Sequence, residues 1–253
     1  MSSSSLPFRE VPYLPLRLDV DRRADGTIYL NNGHPLKPCP PHMLAPLVKW
    51  AAEAPGRVWL AERVPENPAS DGWREMTYGE GLERVRRLAQ GFIDAGAGPD
   101  TPVMILSANA IDHALVMYAA MWTGSPVVPV TPAYALLSQD FARLKYIDQL
   151  TKPKFIYVED GAAYQRGLDG MGVGNRLVLY SRHEPKGCDC ANIGRFAKEP
   201  TEAVDAAYAA LRPDTVAKYM LTSGSTGEPK AVINLHGMVA ANAKMIRSVW
   251  DEA

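Results

Sequence analysis

The chain has 253 residues, 47% of them hydrophobic and 22% charged, with 27 Lys and Arg against 28 Asp and Glu. This composition excludes a disordered, collagen-like or disulfide-dense chain, and the length allows one large α/β domain or two smaller ones. A formal net charge of -1 offers none of the basic excess that a nucleic-acid binder presents on one face, so no nucleic-acid partner is expected.

Residues 1–42 are rich in Pro, Arg and Asp and close on Pro38, Pro40 and Pro41. They predict an extended N-terminal arm, with an α/β subdomain over 43–253. The serine run at Met1–Phe8 lacks a basic segment followed by an apolar one, so no secretory signal is read there. Met43–Ala54 predicts a helix stopped by Pro55-Gly56, and Val58–Ala61 a short strand. Thr77 followed by Glu80 has the form of a capping box and starts a helix whose apolar face runs Tyr78, Leu82, Val85, Ala89 and Phe92, ending at Gly96.

Val103–Leu106 is a continuous apolar run of strand length, as expected of a strand buried on both faces. Asn109 is placed to cap a helix over Ile111–Trp122, which is apolar nearly all round and so belongs in the interior. It contains the longest apolar run, Ala114–Trp122, far short of the ~20 residues that span a bilayer, and no membrane is expected. Val127–Val130 is the next strand, Ser138 caps a helix to about Leu150, and Phe155–Val158 and Leu177–Tyr180 are further strands. A loop over 182–198 precedes a helix at Pro200–Leu211, a strand at Val216–Leu221 and a helical pattern from about Met238. Strands separated by helices in this way predict a mainly parallel sheet covered by helices on both faces.

Several chemistry-bearing residues read as structural. Cys39, Cys188 and Cys190 are an odd, sparse set that fits free thiols in a reducing, cytoplasmic compartment. His183 alone does not complete a metal site with Cys188 and Cys190, so no metal ligands are assigned. His113 and His236 read as packing or capping residues, and Arg84, Arg86 and Arg87 as a solvated helix face. Trp122, Tyr118 and Met121 read as core rather than as the wall of an acyl pocket.

The segment Thr222-Ser223-Gly224-Ser225-Thr226-Gly227-Glu228-Pro229-Lys230 carries the chemistry. Glycines let backbone N–H groups approach a polyanion, hydroxyls add donors, and the lysine supplies a compact positive charge. These are the parts of a phosphate cradle. Pro229 precedes the lysine and Ala231-Val232-Ile233 reads as a strand, so the segment is a hairpin tip and not the helix-capping loop of nucleotide hydrolases.

Tyr219 to Lys230 resembles the phosphate-loop motif of the acyl-adenylate-forming superfamily, which includes acyl-CoA synthetases, luciferases and peptide-synthetase adenylation domains. The match runs from Thr222 through Lys230 without a gap; the family pattern usually continues with Gly, where this chain has Ala231. Leu106–Asn109 and Gly124–Tyr134 are similar to the family's N-terminal subdomain, and Pro132–Phe141 resembles the feruloyl-CoA synthetase branch, which activates hydroxycinnamates. The resemblance implies the N-terminal part of the acetyl-CoA synthetase-like fold. It also implies an ATP-dependent acid–CoA ligase acting on a ferulate-like aryl carboxylate, with ATP, Mg2+ and CoA as substrates or cofactors. On this reading Thr222, Ser223, Gly224, Ser225, Thr226 and Gly227 hold the β- and γ-phosphates. Lys230 binds there as well, as the catalytic residue that neutralises departing pyrophosphate, while Glu228 points to solvent.

The family's adenine-binding segments, Mg2+-binding glutamate and C-terminal domain have no room after the loop, so an N-terminal fragment is expected. The alternative is a non-catalytic module that keeps only phosphate binding or self-association, a homodimer formed through exposed apolar surface being one form of it.

Overall fold

A computed structural model of the chain describes residues 13–35, 37–63, 72–222 and 227–248. In chain order the elements are β1 (Leu18–Arg22), β2 (Ile28–Asn32), α1 (Ala45–Glu53), β3 (Val58–Arg63), β4 (Trp73–Thr77) and α2 (Tyr78–Asp94). There follow β5 (Val103–Leu106), α3 (Ile111–Trp122), β6 (Val127–Val130), α4 (Ala133–Leu136), α5 (Ala142–Thr151), β7 (Phe155–Asp160) and α6 (Gly161–Met171). The remainder is β8 (Leu177–Arg182), β9 (Cys190–Asn192), α7 (Ile193–Phe196), α8 (Glu202–Ala209), β10 (Val216–Thr222), β11 (Lys230–Leu235) and α9 (His236–Arg247).

Seven strands form one sheet in the order β11-β10-β6-β5-β7-β8-β9, parallel throughout except for the antiparallel β10–β11 pair. Alternation along the strands divides the core in two. Val103, Ile105, Val127, Phe155, Tyr157 and Leu179 face α1, α2, α3 and α8 on one side. Met104, Leu106, Val128, Val130, Ile156 and Val158 face α4, α5 and α6 on the other. The all-apolar strands of the sequence are those the helices cover twice, as expected of parallel sheets. The arm holds the antiparallel hairpin β1–β2, exposed along its whole length.

The capping box at the start of α2 forms as expected: Glu80 N–H donates to Thr77 Oγ1 at 3.3 Å and Thr77 N–H donates to Glu80 Oε2 at 2.9 Å. Two expected caps are corrected. The N-cap of α3 is Ala110, whose side chain has no acceptor, and Asn109 does not cap it. The Ile111 N–H donates instead to Glu62 Oε2 at 2.6 Å, reached from β3. Ser138 does not start α5 either: its hydroxyl accepts from Phe141 N–H at 2.9 Å, and the helix begins at Ala142. Phe141 is left-handed (φ 56) with its ring buried against Gly170, and that packing delays the helix. The expected loop over 182–198 contains β9 and α7, and α6 lies in a stretch where no helix was expected.

Candidate phosphate-binding hairpin

In an open parallel sheet, ligands gather beyond the carboxyl ends of the strands. β10 runs parallel to β6 with Lys218 opposite Val127, so Thr222 ends β10 on the same edge as Leu106, Val130 and Asp160 end their strands. The chain leaves that edge at Thr222 and returns at Lys230, the two paired across the antiparallel ladder. The Thr222 hydroxyl donates to the Lys230 carbonyl at 3.4 Å and closes the neck of the hairpin. The strand–loop–strand form expected of this segment is therefore present.

Of the expected loop residues, Ser223, Gly224, Ser225 and Thr226 lie outside the described residues. Gly227 has φ 118, a backbone conformation that other L residues rarely adopt. Glu228 and Lys230 are exposed while Pro229 between them is buried, so the proline anchors the returning strand and leaves both charges in solvent. Phosphate binding needs this: a cation that is not already paired among the described residues, held on a fixed strand end.

Other residues near the edge are engaged with one another. Glu159, after the apolar part of β7, accepts from Ser107 Oγ at 3.3 Å and from Tyr164 Oη at 3.2 Å. Burial, with the adjacent Glu159 charge, raises the Tyr164 phenol well above its ordinary range, so it stays a donor. Glu62 Oε1 and Asp112 Oδ1 accept from the two ends of the Arg74 guanidinium at 2.9 and 3.0 Å, which ties the β3–β4 hairpin to the first turn of α3. Sequence reasoning missed this triad, because nothing local marks residues whose partners come from three separate elements.

The residues read as structural keep that role. Trp122 is 1% exposed and its indole N–H donates to Val204 O at 2.9 Å, while Met121 is wholly buried. Tyr118 instead lines a groove of about 770 Å3 with Trp50, Trp59, Tyr78, Ala240 and Lys244. His113 Nδ1 lies 3.2 Å from Ala108 O, and burial lowers its pKa. Arg86 and Arg87 are not simply solvated: they reach Asp205 and Glu199 and join α2 to the α8 region. Cys39, Cys188 and Cys190 are free thiols, and burial raises the pKa of Cys190 to about 11. Among the described residues no group of three or more His, Cys, Asp or Glu could hold a metal ion, and no helix is long and apolar enough to cross a membrane.

The chain is 30% identical over 200 residues to the nonribosomal peptide synthetase CymA of Salinispora arenicola, a match covering 76% of this chain and 2% of that protein. It is 28% identical over 159 residues to the long-chain-fatty-acid–CoA ligase FadD15 of Mycobacterium bovis, covering 62% of this chain and 26% of the ligase. The structure of VinN with L-aspartate superposes with a TM-score of 0.60 at 20% identity, over 84% of this chain and 53% of that one. The fatty acyl-adenylate ligase of L. pneumophila, solved with acyl adenylate and pyrophosphate, superposes with a TM-score of 0.55 at 17% identity, over 77% and 30%. These structural likenesses establish the shared α/β fold, and the chain spans from 2% to 53% of the length of these four relatives. The family model of AMP-binding enzymes matches residues 49–253, and the chain belongs to that family.

Proposed function

We propose that this chain is the phosphate-holding N-terminal part of a ligase that activates a carboxylic acid with ATP. The observation that supports it most is the hairpin Thr222–Lys230, set on the carboxyl edge of the sheet in a chain of the AMP-binding family. In the first half-reaction a carboxylate oxygen attacks the α-phosphorus of ATP. The bond to the α,β-bridging oxygen breaks, giving acyl-AMP and pyrophosphate. An anion is brought against a polyanion and no proton has to move, so positioning and charge neutralisation carry the step. Thr222, Ser223, Gly224, Ser225, Thr226 and Gly227 hold the β- and γ-phosphates through hydroxyl and backbone N–H donors. Lys230 offsets charge on the departing pyrophosphate. Mg2+ would accompany the nucleotide and offset charge on its phosphates.

In the second half-reaction a thiol attacks the acyl carbon and AMP leaves. Our reading takes coenzyme A as that thiol and a ferulate-like hydroxycinnamate or related aryl acid as the substrate, supported by the resemblance of Pro132–Phe141. It places the enzyme in the cytoplasm, in keeping with three free thiols. The peptide-synthetase relative favours a second reading, an amino or aryl acid passed to a carrier-bound thiol. Acid-dependent exchange of labelled pyrophosphate into ATP, by the protein that carries this chain, separates these readings. Exchange with ferulate followed by CoA-dependent release of AMP supports the first, exchange with amino acids and no response to CoA supports the second, and no exchange with any acid overturns both.

A further inference from the structure

Two histidines far apart in sequence meet in the interior. His42 is 4% exposed and His236 is fully buried. Their ring centroids lie 6.0 Å apart with the planes at 83°, and the His42 ring also meets the Tyr208 ring edge-on at 4.7 Å. Nδ1 of His42 and both ring nitrogens of His236 are buried without a hydrogen-bond partner among the described residues. Buried polar atoms are nearly always satisfied, so three orphans on two touching rings mark a stressed contact.

The contact sits where it can act on the hairpin. His236 follows β11 directly and opens α9; its backbone N–H donates to Thr215 O at 3.0 Å and that of Gly237 to Pro213 O at 2.8 Å. These bonds join the two feet of the hairpin to each other. Beyond the pairing of β10 with β6, the His236 ring adds a contact to the segment ahead of α1, through His42. The titratable groups facing the pair are the two imidazoles themselves and the Tyr208 phenol of α8, and no carboxylate charge acts on either ring.

We propose that His42 and His236 form an acid-released latch: while both rings are neutral they clamp the feet of the phosphate hairpin and the start of α9 to the body, and protonation of either ring lets that unit go. An imidazolium in this place has no counter-ion, and a second one repels the first. Burial lowers His42, and burial together with the His42 charge lowers His236 from 6.5 to about 4. Because the closed form resists the proton and the open form accepts it, the latch is at full strength above pH 6.5 and is lost as pH falls towards about 4. One proton per opening raises the open population about tenfold for each pH unit in that window. The latch rests on the proposed function only in naming the hairpin a phosphate site.

Hydrogen exchange read by mass spectrometry tests it, at about pH 7.5 and about pH 5.5 with intrinsic rates corrected. Peptides from 230–247 are expected to open about tenfold more at about pH 5.5 than at about pH 7.5, since only the span below 6.5 responds, while those from 103–106 stay unchanged. His42→Phe with His236→Phe is expected to abolish the pH response. A wild-type response equal to that of the double variant, or none at all, overturns the latch. If the variants do not fold, titration of the wild-type imidazole Cε1–H resonances decides. Midpoints depressed well below 6.5, with loss of α9 signals, support the latch; a midpoint near 6.5 with α9 intact overturns it. Acid-driven opening in a chain that binds no nucleotide supports the latch and removes the phosphate role instead.

Discussion

Glu62 accepts the first backbone N–H of helix α3, that of Ile111, at 2.6 Å from a position 49 residues earlier in the chain. Its other oxygen accepts from Arg74 at 2.9 Å, and the same guanidinium donates to Asp112 at 3.0 Å. A carboxylate at a helix N-terminus satisfies an orphan donor and interacts favourably with the helix dipole. Here it also fixes a peripheral hairpin to the innermost helix of the fold.

Removing that carboxylate should be costly. Glu62→Ala leaves the Ile111 N–H without its acceptor and takes one partner from Arg74, which predicts a loss of roughly 2 kcal/mol. Urea unfolding of the variant checks this, and an unchanged midpoint would mean that Ala110 and solvent cap α3 adequately.

Gly91→Ala sets two effects against each other. Alanine is better in a helix interior by about 1 kcal/mol, but its Cβ would lie 2.3 Å from the Phe196 carbonyl oxygen. Backbone cannot yield as a side-chain tip can, so overpacking of roughly 1–3 kcal/mol wins and the variant is less stable. Thermal melting gives the sign directly.

The capping box offers a smaller and separable test. Thr77→Ala removes the acceptor for Glu80 N–H and is expected to cost about 1 kcal/mol. Hydrogen bonds from the Thr77 backbone N–H and, less, from its hydroxyl hold the Glu80 carboxyl below its usual range. Thr77→Ala removes only the hydroxyl's share, so the Glu80 pKa should rise part of the way back, readable by carboxyl-carbon NMR.

What could be read from sequence was what is encoded locally. Val103–Leu106 and Val127–Val130 stood out because a strand covered on both faces must be apolar throughout, and Thr77 with Glu80 states a helix start within four residues. The helix α6 did not stand out because its glycines lower its propensity. Gly167 and Gly170 are there because Ala135 and Phe141 press against them, a reason visible only in the folded chain. The cap on α3 is illegible for the same reason: Asn109 is the local candidate, while the acceptor the Ile111 N–H uses, Glu62, is distant in sequence.

The site divided along the same line. Hydroxyls, glycines, proline and lysine in one run announce the hairpin form that β10 and β11 take, and they are what the proposed phosphate role rests on. The pairing of His42 with His236 left no sequence signal, since each taken alone is an ordinary histidine near a helix start.

The central claim is that the hairpin from Thr222 to Lys230 holds polyphosphate. The most direct measurement is calorimetric binding of Mg–ATP and of pyrophosphate to the chain, compared among wild type, Lys230→Ala and Glu228→Ala. The account predicts binding that weakens by about tenfold or more in Lys230→Ala, the size of one lost charge-assisted contact, and that is little changed in Glu228→Ala. Equal affinity in wild type and Lys230→Ala would contradict it.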